Sequence, residues 1–236
     1  NFIIDIMFII SPPFGNYIFF DSVLSIKGSF TLEERPGLIP QIFKTFRYSY
    51  EYNGWINKIG LRNKGIDYAI EKYKNTNSII SIAILKETDI SQFLKKIPKN
   101  MNIEINVSCP NVNKQLVNSN LKHFLNNDRD WCIIKLSPIT ELSQIDNYYN
   151  EGFRQFHCSN TLPIKEGGAS GPILKKYNQK LITYIKSNYP DTVVIGGGGI
   201  RDWQDVLYYK KLGADYFSLS TVLLNPYKLI TLYINS

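Results

Sequence analysis

Short apolar runs alternate with longer amphipathic stretches along most of this chain, and this alternation limits the folds open to it. The apolar runs, each long enough for one strand, are residues 79–84, 103–107, 132–136, 155–158, 193–195 and 216–219. Helix-like segments are residues 90–97, 121–125, 141–149, 174–188, 203–211 and 227–234. Strands that alternate with helices predict a parallel sheet with the helices outside it.

The first third of the chain is less regular. Residues 1–10 are mostly apolar, lack a basic start and are too short to span a bilayer, so we expect a buried strand there. From this strand to about residue 68 the sequence predicts irregular loops with one or two strands.

The chain length and the position of its glycines separate two parallel architectures. An open doubly wound sheet would carry its glycine-rich turn after the first strand. Here four glycines in a row fall late, at residues 196–199 of 236. A (βα)8 TIM barrel of roughly 250 residues has its phosphate site after its last two strands. We therefore predict one α/β domain, a (βα)8 barrel, over residues 1–236.

The cysteine content and the net charge of the chain indicate its cellular compartment and the kinds of partner that it could bind. The three cysteines are widely spaced and match neither a disulfide framework nor a zinc motif, so we expect a cytoplasmic protein without a metal site. The net charge of +7 indicates either a solvated lysine-rich surface or an attraction for anionic ligands. Neither a nucleic-acid module nor a membrane partner is predicted.

Two adjacent strand ends predict an anion site. The glycines at 196–199 follow an apolar strand, where they let backbone amides approach a phosphate. Ser220 and Thr221 end the next strand and add hydroxyl groups. The alternative is that the glycines only form a tight turn.

Two further residues suggest chemistry. Lys135 ends an otherwise apolar strand and could stabilise negative charge on a bound ring, although it could also reach solvent. Cys109 lies in the segment Asn-Val-Ser-Cys-Pro-Asn, residues 106–111, where a loop could expose its thiol. In contrast, Cys132, Cys158, His123 and His157 are interpreted as structural.

Carboxamides recur at predicted strand ends. They both donate and accept hydrogen bonds, as the edge of a pyrimidine ring requires. An isolated asparagine in a loop is usually a turn former. The set that indicates a binding site is Asn57, Asn106, Asn111 and Asn160.

Several of these motifs together resemble the dihydroorotate dehydrogenase family. The matching stretches are residues 31–37, 57–65, 106–111, 134–138, 160–161, 167–171, 198–200 and 213–215, of which 106–111 is the most specific. The resemblance implies an FMN-binding barrel that oxidises dihydroorotate to orotate in pyrimidine biosynthesis.

The resemblance also implies a role for each matched residue. Cys109 is the general base that removes the C5 proton of dihydroorotate while C6 gives hydride to flavin N5, and a cysteine here is similar to the soluble class 1 enzymes. The implied flavin contacts are Lys27, Asn106, Lys135, Ser159, Gly171, Gly198, Gly199, Ser220 and Thr221. The implied substrate contacts are Asn57, Gly60, Leu61, Asn106, Asn111, Asn160 and Thr161.

The chain also departs from the family pattern. Residues 11–17 replace the usual sequence at the first strand end, and Lys27 is one residue out of step with the class 1 lysine. Three alternatives stay open: a flavoenzyme acting on another reduced pyrimidine or an enoate, a flavin- or phosphate-binding barrel without turnover, and a phosphate-sugar enzyme. A homodimer is compatible with the resemblance, and the electron acceptor is either a small molecule or a partner chain.

Overall fold

The structure is a computed structural model that describes residues 7–18, 20, 23–107 and 120–235. Its strands are β1 (Met7–Ile10), β2 (Leu24–Phe30), β3 (Arg47–Ser49), β4 (Gly54–Asn57), β5 (Ile79–Ala83), β6 (Ile103–Asn106), β7 (Cys132–Lys135), β8 (Gln155–Cys158), β9 (Leu162–Ile164), β10 (Gly167–Ala169), β11 (Val193–Gly197) and β12 (Tyr216–Leu219). Its helices are α1 (Leu38–Thr45), α2 (Gly65–Tyr73), α3 (Glu87–Lys96), α4 (Leu142–Asn150), α5 (Lys175–Asn188), α6 (Trp203–Lys211) and α7 (Pro226–Asn235). Short 3-10 helices cover Phe14–Asn16, Leu121–Phe124, Pro172–Leu174 and Thr221–Leu224.

Eight parallel strands close into a barrel. They follow one another around it in the order β1-β2-β5-β6-β7-β8-β11-β12, and β12 pairs with β1 to complete the circle. Such closure leaves no strand edge exposed in the barrel. The predicted (βα)8 barrel is confirmed, while the extent of one domain over residues 1–236 stays a prediction.

Side chains alternate between the two faces of the barrel wall. One inward set is apolar and forms its own cluster near the amino ends of the strands: Ile9, Ile26, Ile79, Ile133 and Ile195. The outward set packs against the helices in a larger cluster, in which Ile134 and Phe156 lie with Phe93 of α3 and Leu181 of α5. Both faces are therefore buried, as is usual for a parallel sheet.

The inward face becomes polar towards the carboxyl ends of the strands. Two residues beyond the apolar cluster, which is one full strand period, the same face carries Ser11, Ser81, Lys135 and Gly197. The barrel interior is thus closed and apolar at its amino end and polar at the end where ligands bind in this fold.

A second, four-stranded antiparallel sheet has the order β3-β4-β10-β9. Its hairpins are insertions, one between α1 and α2 and the other between β8 and α5. The strands approach closely at Gly54, where a Cβ would lie 1.8 Å from the carbonyl oxygen of Ser170. We name this the small sheet; it holds Asn57 at the end of β4.

The predicted elements after residue 78 agree with the structure to within a few residues at each end, except that residues 121–125 form a 3-10 helix rather than an α-helix. Strands β9 and β10, which pair with each other in the small sheet, were not predicted. The strand expected within residues 1–10 is present as β1 at Met7–Ile10. The expectation of mainly irregular loops from there to about residue 68 was wrong, because this part contains β2, β3, β4, α1 and the start of α2. Helix α1 is short and none of its residues is fully buried, and β4 pairs with β10, which is distant in the sequence.

Candidate functional site

A cavity opens at the carboxyl ends of five barrel strands. It encloses about 500 Å³ of space, part of which is open solvent at its mouth. The lining residues are Ser11, Pro12, Lys135, His157, Ser159, Asn160, Thr161, Ser170, Leu174, Gly198, Gly199, Ile200, Ser218, Ser220 and Thr221.

The cavity brings together eight residues that the sequence predicted for the site. These are Lys135, Ser159, Asn160, Thr161, Gly198, Gly199, Ser220 and Thr221. Six other predicted residues do not line it: Lys27, Asn57, Gly60, Leu61, Asn106 and Gly171. Cys109 and Asn111 lie outside the described residues.

One end of the cavity, which we call the glycine end, consists of Gly198, Gly199, Ser220 and Thr221. Gly198 and Gly199 have φ values of +75° and +82°, a backbone region that favours glycine. A Cβ on Gly199 would lie 2.7 Å from the carbonyl oxygen of Gly171, which packs directly behind it. The glycines therefore let the backbone take a path that other residues would obstruct.

Buried hydrogen bonds support the glycine end from behind. Asn178 of α5 is fully buried and donates to the carbonyl of Gly197 and to the hydroxyl of Tyr209, the latter at 3.2 Å. The Tyr209 hydroxyl donates in turn to the carbonyl of Gly198 at 2.6 Å. Ser159 donates to Asn178 Oδ1 at 2.6 Å. Two helices thus hold the glycine turn and the end of β8 together.

A second group of cavity residues, which we call the charged end, consists of Lys135 of β7 and His157 of β8, with Glu104 of β6 behind them. The Lys135 Nζ lies 3.5 Å from Glu104 Oε1, and His157 Nδ1 lies 2.5 Å from Glu104 Oε2. His157 pairs in register with Lys135 and with Ile195, so its side chain points into the barrel. All three residues are buried, and Glu104 is fully so.

These contacts determine the charge of the group. Burial by itself would raise the pKa of Glu104, but Lys135, His157 and a hydrogen bond from Ser81 outweigh it and hold that pKa below its usual value. Burial and the nearby Lys135 lower the pKa of His157, although Glu104 opposes the shift. Near neutral pH the carboxylate is therefore ionised and the imidazole neutral.

Carboxamides extend the charged end around the barrel mouth. Asn160 Nδ2 donates to Asn106 Oδ1 at 3.3 Å, and Asn106 Nδ2 donates to the Ser29 hydroxyl at 3.2 Å. Ser29 in turn lies 2.9 Å from the hydroxyl of Ser81, which donates to Glu104. Asn106 is therefore linked both to the cavity wall and to the buried carboxylate.

The small sheet brings Asn57 towards the same region. Asn57 pairs with Gly168 of β10, and a Cβ on Gly168 would lie 2.3 Å from the Thr161 hydroxyl. Paired residues in an antiparallel sheet point to the same face, so Asn57 and the cavity-lining Thr161 share a face. Gly60 and Leu61 follow β4 in left-handed conformations, with φ values of +68° and +55°.

Lys27 lies on the other side of the barrel wall. Its neighbour Ile26 belongs to the inward cluster, so the Lys27 side chain points outward, where Nζ donates to the carbonyl of Gly15 and lies 5.7 Å from the ring centre of Tyr73. Burial and the nearby Lys72 lower its pKa to about 8. This placement does not support the expected flavin contact, because the strand register directs Lys27 away from the cavity.

The structure adds residues that sequence reasoning missed. Glu104 was hidden within an apolar run, although a carboxylate in such a run is itself a signal that one face of the strand is polar. His157 was interpreted as structural for lack of a partner, and Glu104 is that partner. Asn178 and Tyr209 looked like ordinary helix residues.

The two described cysteines are inert. Cys132 and Cys158 are buried, as predicted, and burial raises the pKa of the Cys132 thiol to about 12. Burial also raises the pKa of Cys158. Neither is suited to take up a proton at neutral pH.

The fold and the cavity define a class: a parallel (βα)8 barrel with a polar ligand site at the carboxyl ends of its strands. A family model for dihydroorotate dehydrogenase matches residues 20–151. The chain belongs to the dihydroorotate dehydrogenase family, which confirms the resemblance seen in the sequence.

Known relatives agree with this assignment. The chain is 29% identical to the dihydroorotate dehydrogenase B (NAD(+)) catalytic subunit of Petrotoga mobilis, over 86% of this chain and 77% of that protein. It is 29% identical to the subunit of the same name from Bacteroides thetaiotaomicron, over 72% and 67% respectively. A DHODH from Eimeria tenella, crystallised with ferulenol, shares the fold with a TM-score of 0.68 at 16% identity, over 89% of this chain and 72% of that one.

The helices were also compared with the length and hydropathy that a membrane-spanning helix requires. Across residues 7–18, 20, 23–107 and 120–235, none is both long and apolar enough to cross a bilayer.

Proposed function

We propose that this chain catalyses the FMN-dependent oxidation of dihydroorotate to orotate. The observation that carries the proposal is the combination of family membership with one cavity that has a glycine end for a phosphate and a charged end for a ring. A barrel of this family needs both features to hold a flavin nucleotide and a pyrimidine together.

The residues present fit FMN. The left-handed glycines let the backbone follow a path that a Cβ would obstruct from behind, and Ser220 and Thr221 add hydroxyls beside it, as anion sites require. Lys135 supplies a cation in the wall of the same cavity. Bound FMN would supply the hydride acceptor for the reaction.

The protein's own groups would then bind the substrate and move one proton. Asn106, Asn160, Thr161 and Asn57 would hydrogen-bond the pyrimidine, because carboxamides match both its N–H and its C=O groups. Cys109 would take the proton from C5 while C6 gives up hydride, which balances the loss of two electrons and two protons from dihydroorotate. The described part of the loop supports this, since β6 leads to Val107, two residues before Cys109, at the cavity side of the barrel.

We further propose that the chain works with a partner. The two bacterial relatives above are each described as a catalytic subunit of an NAD(+) enzyme. By analogy, electrons would leave this chain through a second subunit, which makes the partner chain the favoured route over a small acceptor.

Anaerobic reduction by dihydroorotate tests the activity. The purified chain, reconstituted with FMN, should lose its flavin absorbance when dihydroorotate is added, whereas other dihydropyrimidines and enoates should act more slowly. Cys109→Ala should keep the flavin but slow its reduction by roughly 100-fold or more, the usual contribution of a general base.

The matched control is Cys132→Ala, which removes a buried thiol on the outer side of the barrel and should leave the rate unchanged. Full-speed reduction in the Cys109→Ala variant would contradict the assigned base. A flavin-loaded protein that no dihydropyrimidine reduces would contradict the activity itself.

A further inference from the structure

The buried group of the charged end contains Glu104, Lys135 and His157. The contacts within this group affect how the charge of Lys135 acts on the cavity. Glu104 uses one carboxylate oxygen for each partner: Oε1 faces Lys135 and Oε2 faces His157. A single carboxylate is therefore shared between an ammonium and an imidazole. Since all three side chains are nearly or fully buried, solvent screens these contacts weakly.

The two contacts differ in length. The His157 nitrogen is 2.5 Å from Glu104, which is a short hydrogen bond, while the Lys135 nitrogen is 3.5 Å away, beyond the usual range of 2.7–3.2 Å. Glu104 is thus held mainly by His157, with Ser81 as a further donor. Lys135 stays in the cavity wall with its ammonium only loosely engaged.

We propose that His157 and Glu104 are positioning residues that set how much positive charge Lys135 presents to the cavity, and through it the reduction potential of a bound flavin. The proposal rests on the FMN site proposed above. The role that it assigns to His157 and Glu104 differs from substrate binding, which is proposed for the carboxamides. It also differs from proton removal, which is proposed for Cys109.

The arrangement predicts opposite effects for the two residues. Removing the carboxylate charge with Glu104→Gln leaves the Lys135 ammonium uncompensated, so the potential should become more positive. Removing the imidazole with His157→Leu removes the competing hydrogen bond from His157 and leaves Glu104 facing the Lys135 ammonium. The ammonium should then be drawn towards the carboxylate and away from the cavity, and the potential should become more negative.

Reduction of the bound flavin, equilibrated without oxygen against a reference dye, measures this directly. Each variant should change the oxidised-to-reduced ratio at a given potential by about tenfold, which corresponds to about 30 mV for a two-electron couple. His157→Asn, whose amide can still donate to Glu104, should fall between His157→Leu and the unchanged chain. It also keeps the test decisive if the leucine variant does not fold.

The control is Asp67→Asn, which makes the same carboxylate-to-amide change in a surface ion pair with Lys96, where the two atoms are 2.6 Å apart. Exposed pairs of this kind are screened, so the potential should not move. Shifts of the same sign in Glu104→Gln and His157→Leu, or no shift in either, would overturn the proposal.

Failure of this proposal is distinguishable from failure of the proposed function. The potential can be measured with dithionite and dye whether or not dihydroorotate reduces the flavin. If the chain binds FMN and the two variants shift the potential in opposite directions as expected, but dihydroorotate does not reduce the flavin, this inference stands and the proposed activity fails. A chain that binds no FMN would lose both.

Discussion

The glycine end and the charged end of the cavity are built in different ways. The glycine end is a neutral site in which a turn of two glycines lies beside Ser220 and Thr221, with Asn178 and Tyr209 supporting the turn. The charged end joins three strands, with Glu104 31 residues from Lys135 and 53 from His157 along the chain. The first depends on local backbone shape and the second on charges that compensate one another. A change at the glycine end should therefore alter affinity, whereas a change at the charged end should alter potential and rate.

The largest expected effect on this contrast comes from Gly199→Ala. The residue has φ +82°, and a Cβ would meet the backbone of Gly171 and Pro172 at 2.7 and 3.1 Å, which cannot move aside cheaply. We expect FMN affinity to fall by roughly 100-fold, equivalent to about 2.7 kcal/mol, when measured by quenching of flavin fluorescence.

Gly37→Ala is the matched control. Gly37 has a similar φ of +86°, but its Cβ would find its nearest neighbour at 3.4 Å, the side chain of Arg62. Both variants should lose stability from the left-handed backbone, and only Gly199→Ala should lose FMN. Equal FMN affinities in the two variants would mean that the glycine end does not hold the cofactor.

A smaller effect is expected from Tyr209→Phe. The change removes the hydroxyl that bonds Gly198 but keeps the buried ring. The glycine turn should relax, and FMN affinity should fall by about tenfold, as loss of one buried hydrogen bond implies. Because riboflavin lacks the phosphate, its affinity should change much less.

Tyr208→Phe makes the same chemical change one residue away. The Tyr208 hydroxyl donates a hydrogen bond to Oε1 of the exposed Gln179 at 2.9 Å. This control should bind both flavins normally. If Tyr209→Phe weakened riboflavin as much as FMN, the support behind the glycine turn would be general and not directed at a phosphate.

The smallest expected effect comes from Lys27, which is buried on the outer side of the barrel wall, whereas Lys135 lines the cavity. Lys27 is buried beside a carbonyl and its pKa is lowered to about 8 from 10.5. Between these values the unfolded chain binds more protons than the folded one, so the free energy of unfolding should rise with pH from about 8 to 10.5. Below pH 8 the folded chain carries a buried ammonium and does not have this gain.

Urea unfolding at several pH values measures the change. The free energy of unfolding of the unchanged chain should rise over this interval relative to that of Lys27→Met, whose side chain does not titrate. Exposed Lys95→Met should keep the slope of the unchanged chain. A Lys27→Met variant with the same pH profile as the unchanged chain would show that Lys27 reaches solvent in the folded state.

Features that depend on neighbouring residues in the sequence were predicted more accurately than features that depend on distant contacts. Strand and helix periods are written in neighbouring residues, so β8, α6 and β12 were predicted to the residue. The glycine turn was equally visible, because a run of glycines after a strand is a signal within one segment. Helix α1 was not predicted; it is only eight residues long and none of them is fully buried.

By itself, the sequence determined the parallel barrel, the family and eight of the cavity's residues. Only the tertiary structure decided which of two buried lysines faces the cavity. Lys27 lies within β2 and Lys135 ends β7, but whether each side chain points inward or outward is set by the pairing of its strand with the neighbouring strands. The same register places Glu104 and His157 in contact. A pairing across strands brings together residues that no local pattern relates, and this is why the charged end emerged only from the folded chain.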